Sequence, residues 1–101
     1  MPYSTVKGVP NVTVISTTSG VTIGTVGTVR LHVVNVTATL TGTCTIAGFQ
    51  DEAGNAQTIT LPTTATSHLF YGAYNTIGSL VVTCSNAADD NKVFVVWEPS
   101  Q

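Results

Sequence analysis

Apolar and polar residues alternate along almost the whole chain, so that successive side chains point to opposite faces of an extended strand. Turn residues interrupt the alternation about every 8 to 12 positions, which is typical of antiparallel sandwiches and barrels. No stretch has the period of an amphipathic helix. The pattern predicts eight strands, at residues 12–15, 21–23, 28–37, 43–49, 57–61, 67–71, 79–85 and 92–98.

The connections between these strands are short, which requires antiparallel neighbours because a parallel crossover needs about a dozen residues or more. We therefore predict one all-β domain over residues 1–101, an antiparallel β-sandwich that is either jelly-roll-like or Ig-like. Thr and Val make up about a third of the chain, and both are β-branched residues that suit a pleated surface. Residues 72–75 are predicted to form a turn after the sixth strand.

The third predicted strand changes its apolar side part-way along. Val29, Leu31 and Val33 share one face, but the next apolar residues, Val34 and Val36, lie on the other face. Because side chains alternate strictly in a regular strand, this change of side indicates a β-bulge or a crossing between sheets beyond Val33.

The last predicted strand is apolar on both of its faces. Val93, Val95 and Trp97 share one face, and Phe94 and Val96 share the other. Such a strand is either central with both faces covered, or it presents one face to a partner. We therefore select Phe94 and Val96 as candidate interface residues.

Charged residues make up only 8% of the chain, whereas hydrophobic residues make up 43%. Either the surface is covered by neutral polar side chains, or part of it is hidden in an assembly. The three basic residues, Lys7, Arg30 and Lys92, are scattered, so the sequence predicts neither nucleic-acid binding nor a polybasic membrane patch. We also expect no signal peptide, because no basic segment precedes an apolar stretch near Met1.

The two cysteines, Cys44 and Cys84, are expected to be reduced, buried thiols, since the chain shows no secretory signal. A disulfide is the alternative, because both lie on alternating strands and can face each other across a sandwich. Metal binding is not expected, since no His or Cys lies at ligand spacing beside either cysteine.

Candidate chemistry is sparse. The two histidines, His32 and His68, have no acid at a fixed spacing, and the sequence contains no nucleophile elbow. Two acidic pairs, Asp51–Glu52 and Asp89–Asp90, can bind calcium only if their two loops meet at one end of the sandwich. Turn chemistry explains these acids without a metal. We predict no catalytic residue, no resident metal and no cofactor.

Three aromatic residues, Phe70, Tyr71 and Tyr74, precede or enter the predicted turn. The simpler interpretation is a small cluster under the loop. The alternative is a contact site that stacks on a sugar ring or inserts into a neighbouring protein.

Two stretches resemble small proteins encoded among tailed-phage structural genes. One is Leu40–Phe49 with Asp51, Gly54 and Thr60–Pro62, and the other is Gly78–Asn86 followed by Val93–Trp97. The resemblance covers about the C-terminal two-thirds and implies a β-rich capsid decoration (cement) protein without catalytic residues. It also implies a homo-oligomer, with a trimer favoured, that binds the major capsid protein on the virion surface after assembly in the host cytoplasm.

The resulting functional prediction is a virion structural protein that stabilises the head by contact. A docking arm is predicted at residues 1–10, and the candidate interface residues are Pro2, Tyr3, Val6, Val9, Phe94 and Val96. The alternative is a carbohydrate- or receptor-binding module of a tail fibre or adhesin, with Phe70, Tyr71 and Tyr74 as its ligand contacts.

Overall fold

Eight strands form two four-stranded antiparallel sheets in the computed structural model, which confirms the predicted β-sandwich. The structure describes residues 10–24, 29–74 and 80–99, with only the backbone of 70–74. The strands are β1 (Asn11–Ile15), β2 (Val21–Ile23), β3 (Val29–Val36), β4 (Cys44–Gln50), β5 (Ala56–Thr60), β6 (Thr66–Tyr74), β7 (Leu80–Cys84) and β8 (Val93–Pro99). A single 3-10 turn, Ala87–Asp89, lies between β7 and β8.

Strands from the two ends of the chain pair with each other, and the pairs follow in order towards the middle of the sequence. The pairs β1–β8, β2–β7, β3–β6 and β4–β5 are all antiparallel. The pairs β3–β8 and β4–β7 join them into a first sheet, β1-β8-β3-β6, and a second sheet, β2-β7-β4-β5. This is the strand order of an eight-stranded jelly roll, so the Ig-like alternative is wrong.

The hydrophobic core lies between the two sheets, and the inward-facing positions of both supply it. Trp97 is the largest fully buried side chain, and its indole N–H donates to Oγ1 of Thr13 at 2.9 Å. The aliphatic members of the same buried cluster are all isoleucine, valine or leucine residues: Ile15, Ile23, Val29, Leu31, Val34, Val36, Leu40, Ile46, Leu61, Leu80, Val82, Val93 and Val95.

A bulge in β3 explains the predicted change of apolar side. The register of β3 against both of its neighbours shifts between Leu31 and Val33, and His32 is the extra residue relative to β8. The bulge therefore lies before Val33, whereas the sequence pattern had placed it after this residue. As a consequence Val33 points outward, and Val34 and Val36 enter the core.

The expectation of free thiols is wrong, because Cys44 and Cys84 form a disulfide. The two residues do not face each other across the sandwich; they are direct partners on β4 and β7 in the second sheet. Their Cα atoms are 4.1 Å apart, close to the roughly 4.5 Å of a non-hydrogen-bonded antiparallel pair. The sheet register therefore makes the bond possible.

The sixth strand is longer than predicted. Residues 72–74 continue β6, so the turn predicted at 72–75 is wrong for these three residues. Opposite the bulge in β3, Leu31 pairs with Ala73 and Val33 pairs with Leu69. Residues 70–72 of β6 therefore lie opposite a single residue of β3, His32. Because β6 is paired with β3 on both sides of this irregularity, it remains in the sheet up to Tyr74.

Candidate functional site

The outward surface of the first sheet carries an apolar patch that crosses all four strands. Val12 on β1 pairs with Val96 on β8, Val96 pairs with Val33 on β3, and Val33 pairs with Leu69 on β6. The next row contains Val14 opposite Phe94. We call these six residues the outer apolar face: Val12, Val14, Val33, Leu69, Phe94 and Val96.

Much of the outer apolar face is open to solvent. Val12 is 60% exposed, Leu69 is 55% exposed and Val14 is 37% exposed. Phe94 and Val96 lie on the central strand β8 and are half-buried by their neighbours. A solvated antiparallel sheet normally carries polar residues at its outward positions. Here the outward row is aliphatic in every strand, so this surface is the candidate contact site.

Polar groups border the outer apolar face on two sides. Beyond Val96, Oε1 of the buried Glu98 lies 3.2 Å from Nε2 of His32 and 3.6 Å from Nε of Arg30. Beyond Phe94, the side chain of Ser67 donates to Oδ1 of Asn35. The charged groups at one border are paired with one another, and the patch itself carries no charge.

The structure brings together the two predicted interface residues of the last strand, since Phe94 and Val96 are both on the outer apolar face. The other predicted interface residues, Pro2, Tyr3, Val6 and Val9, lie outside the described residues, as does nearly all of the predicted arm at 1–10.

Sequence reasoning missed four members of the outer apolar face: Val12, Val14, Val33 and Leu69. For Val12 and Val14 a signal was present, because they share one face of their strand while the apolar Ile15 lies on the other. For Val33 the signal was misleading, since the position of the bulge decides which face it joins.

The aromatic residues chosen as alternative ligand contacts lie on β6 and not in a turn. The backbone of Tyr74 pairs with Arg30 of β3. The side chains of Phe70, Tyr71 and Tyr74 lie outside the described part of the structure, so the predicted stacking site stays a prediction.

The two acidic loops lie at opposite ends of the sandwich. Cys44 begins β4 and pairs with Cys84, next to the loop that contains Asp89, whereas Gln50 ends β4 and leads into the turn of Asp51. Seven residues of strand separate the two ends, which is about 20 Å. The condition for a shared calcium site is therefore not met. Among the described residues, no cluster of His, Cys, Asp and Glu is suited to holding a metal ion.

Asp51 instead organises its own hairpin turn. Its Oδ1 accepts the backbone N–H groups of Ala53 at 3.0 Å and Asn55 at 2.9 Å, and its Oδ2 accepts from Nε2 of Gln57 at 3.0 Å. These donors, with the N–H of Asn55 the largest contributor, lower the pKa of Asp51 below its ordinary value.

Asp89 is a fully buried carboxylate that ties two loops together. Its Oδ1 accepts the backbone N–H of Thr41 at 2.7 Å, and its Oδ2 accepts that of Gly42 at 2.8 Å. The ammonium of Lys92 lies 3.1 Å from Oδ1. The bond from Thr41 is the main cause that lowers the pKa of Asp89, although burial acts in the opposite direction. This acid is structural.

We expect the Asp89→Asn variant to have a lower thermal midpoint than wild type at pH 7, because the amide offers only one acceptor oxygen to the two N–H groups. Folding lowers the pKa of Asp89, so its stabilising effect is complete above the ordinary value of 3.8 and disappears as the pH falls through the folded value. Thermal unfolding followed by circular dichroism between pH 7 and pH 2 should therefore show a shallower acid decline for the variant.

Asp51→Asn is the matched control for this prediction, since it removes a carboxylate whose hydrogen bonds all lie within its own hairpin. Its midpoint at pH 7 should fall by less than that of Asp89→Asn. Equal midpoints for Asp89→Asn and wild type at pH 7 would contradict the structural role.

The side chain of His32 lies beside Glu98 of the neighbouring strand β8. The sequence spacing had not indicated this pair. His68 lies on β6, and its Nε2 is buried without a hydrogen-bond partner among the described residues. The two histidines are not joined by any described hydrogen bond.

Comparisons of the chain with protein-family models, with curated protein sequences and with solved structures give no match. Within the described residues, no helix is long and apolar enough to cross a membrane. The outer apolar face is therefore the feature from which a function is argued.

Proposed function

We propose that the protein is a decoration (cement) protein of a tailed-phage head, a homo-oligomer that stabilises the shell by binding subunits of the major capsid protein. The observation that carries this proposal is the outer apolar face, on which Val12 and Leu69 are more than half exposed. The 8% charge content and the resemblance to phage structural proteins support it as well.

The proposed mechanism is burial of apolar surface without a chemical step. Each 100 Å² of apolar area removed from water contributes roughly 2.5 kcal/mol, before the costs of association. A single copy with a small apolar patch therefore binds weakly. Symmetric repetition over the shell, and association into an oligomer such as a trimer, multiply the contact by raising the effective concentration.

Two of the acids and both cysteines are engaged in interactions within the fold, which fits a protein that works by contact. Asp51 and Asp89 are both engaged by backbone N–H donors, and the two cysteines are engaged by each other. In this proposal the polar network and the disulfide keep the sandwich rigid, and the outward surface does the binding. The site of action would be the virion surface, with assembly in the host cytoplasm.

The proposal is tested with expanded heads of the phage that encodes the protein, purified without it. Wild type should co-sediment with the heads and raise their thermal disruption temperature. Leu69→Glu should bind at least about tenfold more weakly, because a charge on the outer apolar face must be desolvated on contact. Thr58→Glu is the matched control, since Thr58 is an exposed outward residue of β5 in the second sheet.

The binding of Thr58→Glu should equal that of wild type. Failure of the wild-type protein to bind the heads would overturn the proposal. Equal loss of binding in Leu69→Glu and Thr58→Glu would remove the outer apolar face as its contact surface.

A second candidate function is a carbohydrate- or receptor-binding module of a tail fibre or adhesin. The observation in its favour is the strand order, because jelly rolls form lectin domains as well as viral capsid domains. Its contacts would be Phe70, Tyr71 and Tyr74 on β6. Binding to a glycan array that is lost in Tyr74→Ala would favour this function over the first.

A further inference from the structure

The outer apolar face reaches the edge of its sheet at β1. Within the described sheets β1 pairs on one side only, with β8. Its two members of the outer apolar face, Val12 and Val14, are 60% and 37% exposed. An edge strand presents a row of backbone N–H and C=O groups to which another strand can bind. The partner of this edge therefore decides whether the apolar surface ends at β1.

The backbone groups of Val12 and Val14 point away from β8. The N–H of Asn91, in the segment that leads into β8, donates to the C=O of Ile15 at 2.8 Å, so Ile15 directs its backbone groups towards β8. Successive residues of a strand direct these groups to opposite sides. Thr13 therefore bonds to β8 as Ile15 does, whereas Val12 and Val14 direct their N–H and C=O groups to the edge.

The neighbouring strand gives the same assignment. The N–H of Thr37 donates to the C=O of Lys92 at 2.8 Å, so Lys92 directs its backbone groups towards β3. By alternation Val93 directs its groups to the other side, towards β1, where its register partner is Ile15. Two hydrogen bonds on different strands thus agree on which residues of β1 carry the edge groups.

The strand β1 lacks the features that protect an exposed edge from pairing. Natural edges are protected by charged side chains, by proline or by a bulge. The five residues of β1, Asn11–Ile15, include no charge and no proline, and their register against β8 is regular throughout. The edge strand β5 is also uncharged, but its outward side chains are Thr58 and Thr60. Pairing at β1 extends an apolar surface, whereas pairing at β5 does not.

Two copies of β1 are complementary to each other in the antiparallel direction. When the five residues overlap fully, Val12 of each copy lies opposite Val14 of the other, and the two copies of Thr13 lie opposite each other. Each of the two Val12–Val14 pairs exchanges two hydrogen bonds. These four bonds use every N–H and C=O that Val12 and Val14 direct to the edge in both copies.

We propose that β1 pairs with β1 of a second copy, which joins the two first sheets into one antiparallel sheet of eight strands. The two-fold axis of such a pair is perpendicular to the sheet, so both outer apolar faces point in the same direction. Each apolar row continues from Val12 of one copy to Val14 of the other. Eight strands about 4.8 Å apart span roughly 34 Å, against roughly 15 Å for four.

This inference rests on the proposed function and deepens it, because it describes the homo-oligomer that presents the contact surface to the capsid. The two copies meet through backbone groups at the edge, so the outer apolar faces stay available for the major capsid protein. Both faces can then bind at once, which raises the effective concentration of the second contact. The contact between copies is isologous, which gives a two-fold dimer in place of the trimer that the phage resemblance favours.

The first test measures the mass of the purified full-length protein by light scattering over a range of concentrations. Wild type should be a dimer, and Val14→Pro should raise its dissociation constant at least about tenfold. The proline removes an N–H that faces the edge and leaves the bonds between β1 and β8 in place, a position that proline tolerates in edge strands. A monomeric or trimeric wild type, or a Val14→Pro variant that dimerises normally, would overturn the inference.

Thr58→Pro is the matched control, since it makes the same change at the edge of β5. The N–H of Leu61 donates to the C=O of Cys44, so by alternation Thr58 directs its backbone groups away from β4. This variant should dimerise as wild type does. Loss of the dimer in Thr58→Pro alone would place the contact at β5 and contradict pairing through β1.

The second test needs no variant and reads the pairing residue by residue. In the dimer, the amide protons of Val12 and Val14 are hydrogen-bonded and should exchange with solvent slowly, as measured by NMR. Dilution towards the monomer should speed their exchange. The amide protons of Thr58 and Thr60 should exchange fast at every concentration. A dimer in which the amide protons of Val12 and Val14 exchange as fast as those of Thr58 and Thr60 would exclude pairing through β1.

Both tests use the protein without phage heads, so their outcome is independent of head binding. If wild type dimerises through β1 but does not bind the heads, edge pairing stands and the decoration function fails. If wild type binds the heads and is a monomer in solution, the contact with the head stands and edge pairing fails.

Discussion

Replacing both cysteines, as Cys44→Ala/Cys84→Ala, is expected to lower the free energy of unfolding by about 4 kcal/mol. The disulfide joins residues 40 positions apart, and it thereby removes conformations from the unfolded chain between β4 and β7. A domain of this size typically has about 5–15 kcal/mol of stability in total, so the loss is a large share. Urea unfolding followed by circular dichroism measures it directly.

The matched control is Thr45→Ala/Thr83→Ala, which alters the next cross-strand pair of the same two strands without touching a covalent bond. A cross-strand pair of this kind contributes less than about 1 kcal/mol, so the control should unfold close to wild type. Addition of a reductant during unfolding should bring wild type down to the level of the double alanine variant. Identical unfolding midpoints of wild type and the double alanine variant would contradict the prediction.

The strands were predictable from sequence because burial alternates with the same period as the side chains. All eight predicted strands are present, and all but one of their ends lie within one residue of the structure. The exception is β6, where Gly72-Ala73-Tyr74 has the composition of a turn. Backbone pairing with β3 across the bulge keeps these residues in the sheet, and no local rule detects a pairing between distant strands.

The sequence limited the fold to two sandwich topologies but could not choose between them, because jelly rolls and Ig-like sandwiches share the same alternating pattern. What separates them is which strands pair, and pairing depends on contacts between distant parts of the chain. The disulfide shows the same limit. Cys44 and Cys84 both sit at inward positions, but only the register of β4 against β7 makes them direct partners.

The sequence pointed to only two of the six residues of the outer apolar face, because the others depend on how distant strands pair. A strand that is apolar on both faces indicates an uncovered surface, and that signal selected Phe94 and Val96, which lie on the outward face of β8. It did not extend the surface to Val33 or Leu69, because the bulge at His32 and the pairing with β6 decide which side chains point outward. The acidic loops were plausible as a pair in sequence and are separated in space by the length of β4.

The Trp97→Ala variant is expected to lower the free energy of unfolding by about 3–5 kcal/mol, the range for removing a large aromatic side chain from a core. Trp97 is the largest fully buried side chain, and it packs close to the backbone of Gly24. Its indole N–H donates to Thr13 Oγ1, so Trp97→Phe should lose less than the alanine variant while still losing this hydrogen bond. Urea unfolding of the three proteins gives the order.

Val96→Ala is the control on the neighbouring residue of the same strand. Because Val96 points to the outer apolar face, its truncation should cost less than about 1 kcal/mol of unfolding free energy. Its effect should instead be on association, which weakens when part of the contact surface is removed. Equal losses of stability in Trp97→Ala and Val96→Ala would mean that both faces of β8 serve the core. A large loss of stability in Trp97→Ala and a small one in Val96→Ala would assign one face of β8 to folding and the other to contact. Two roles of this kind account for a strand that is apolar on both faces, whereas burial on one face would require only alternate apolar residues.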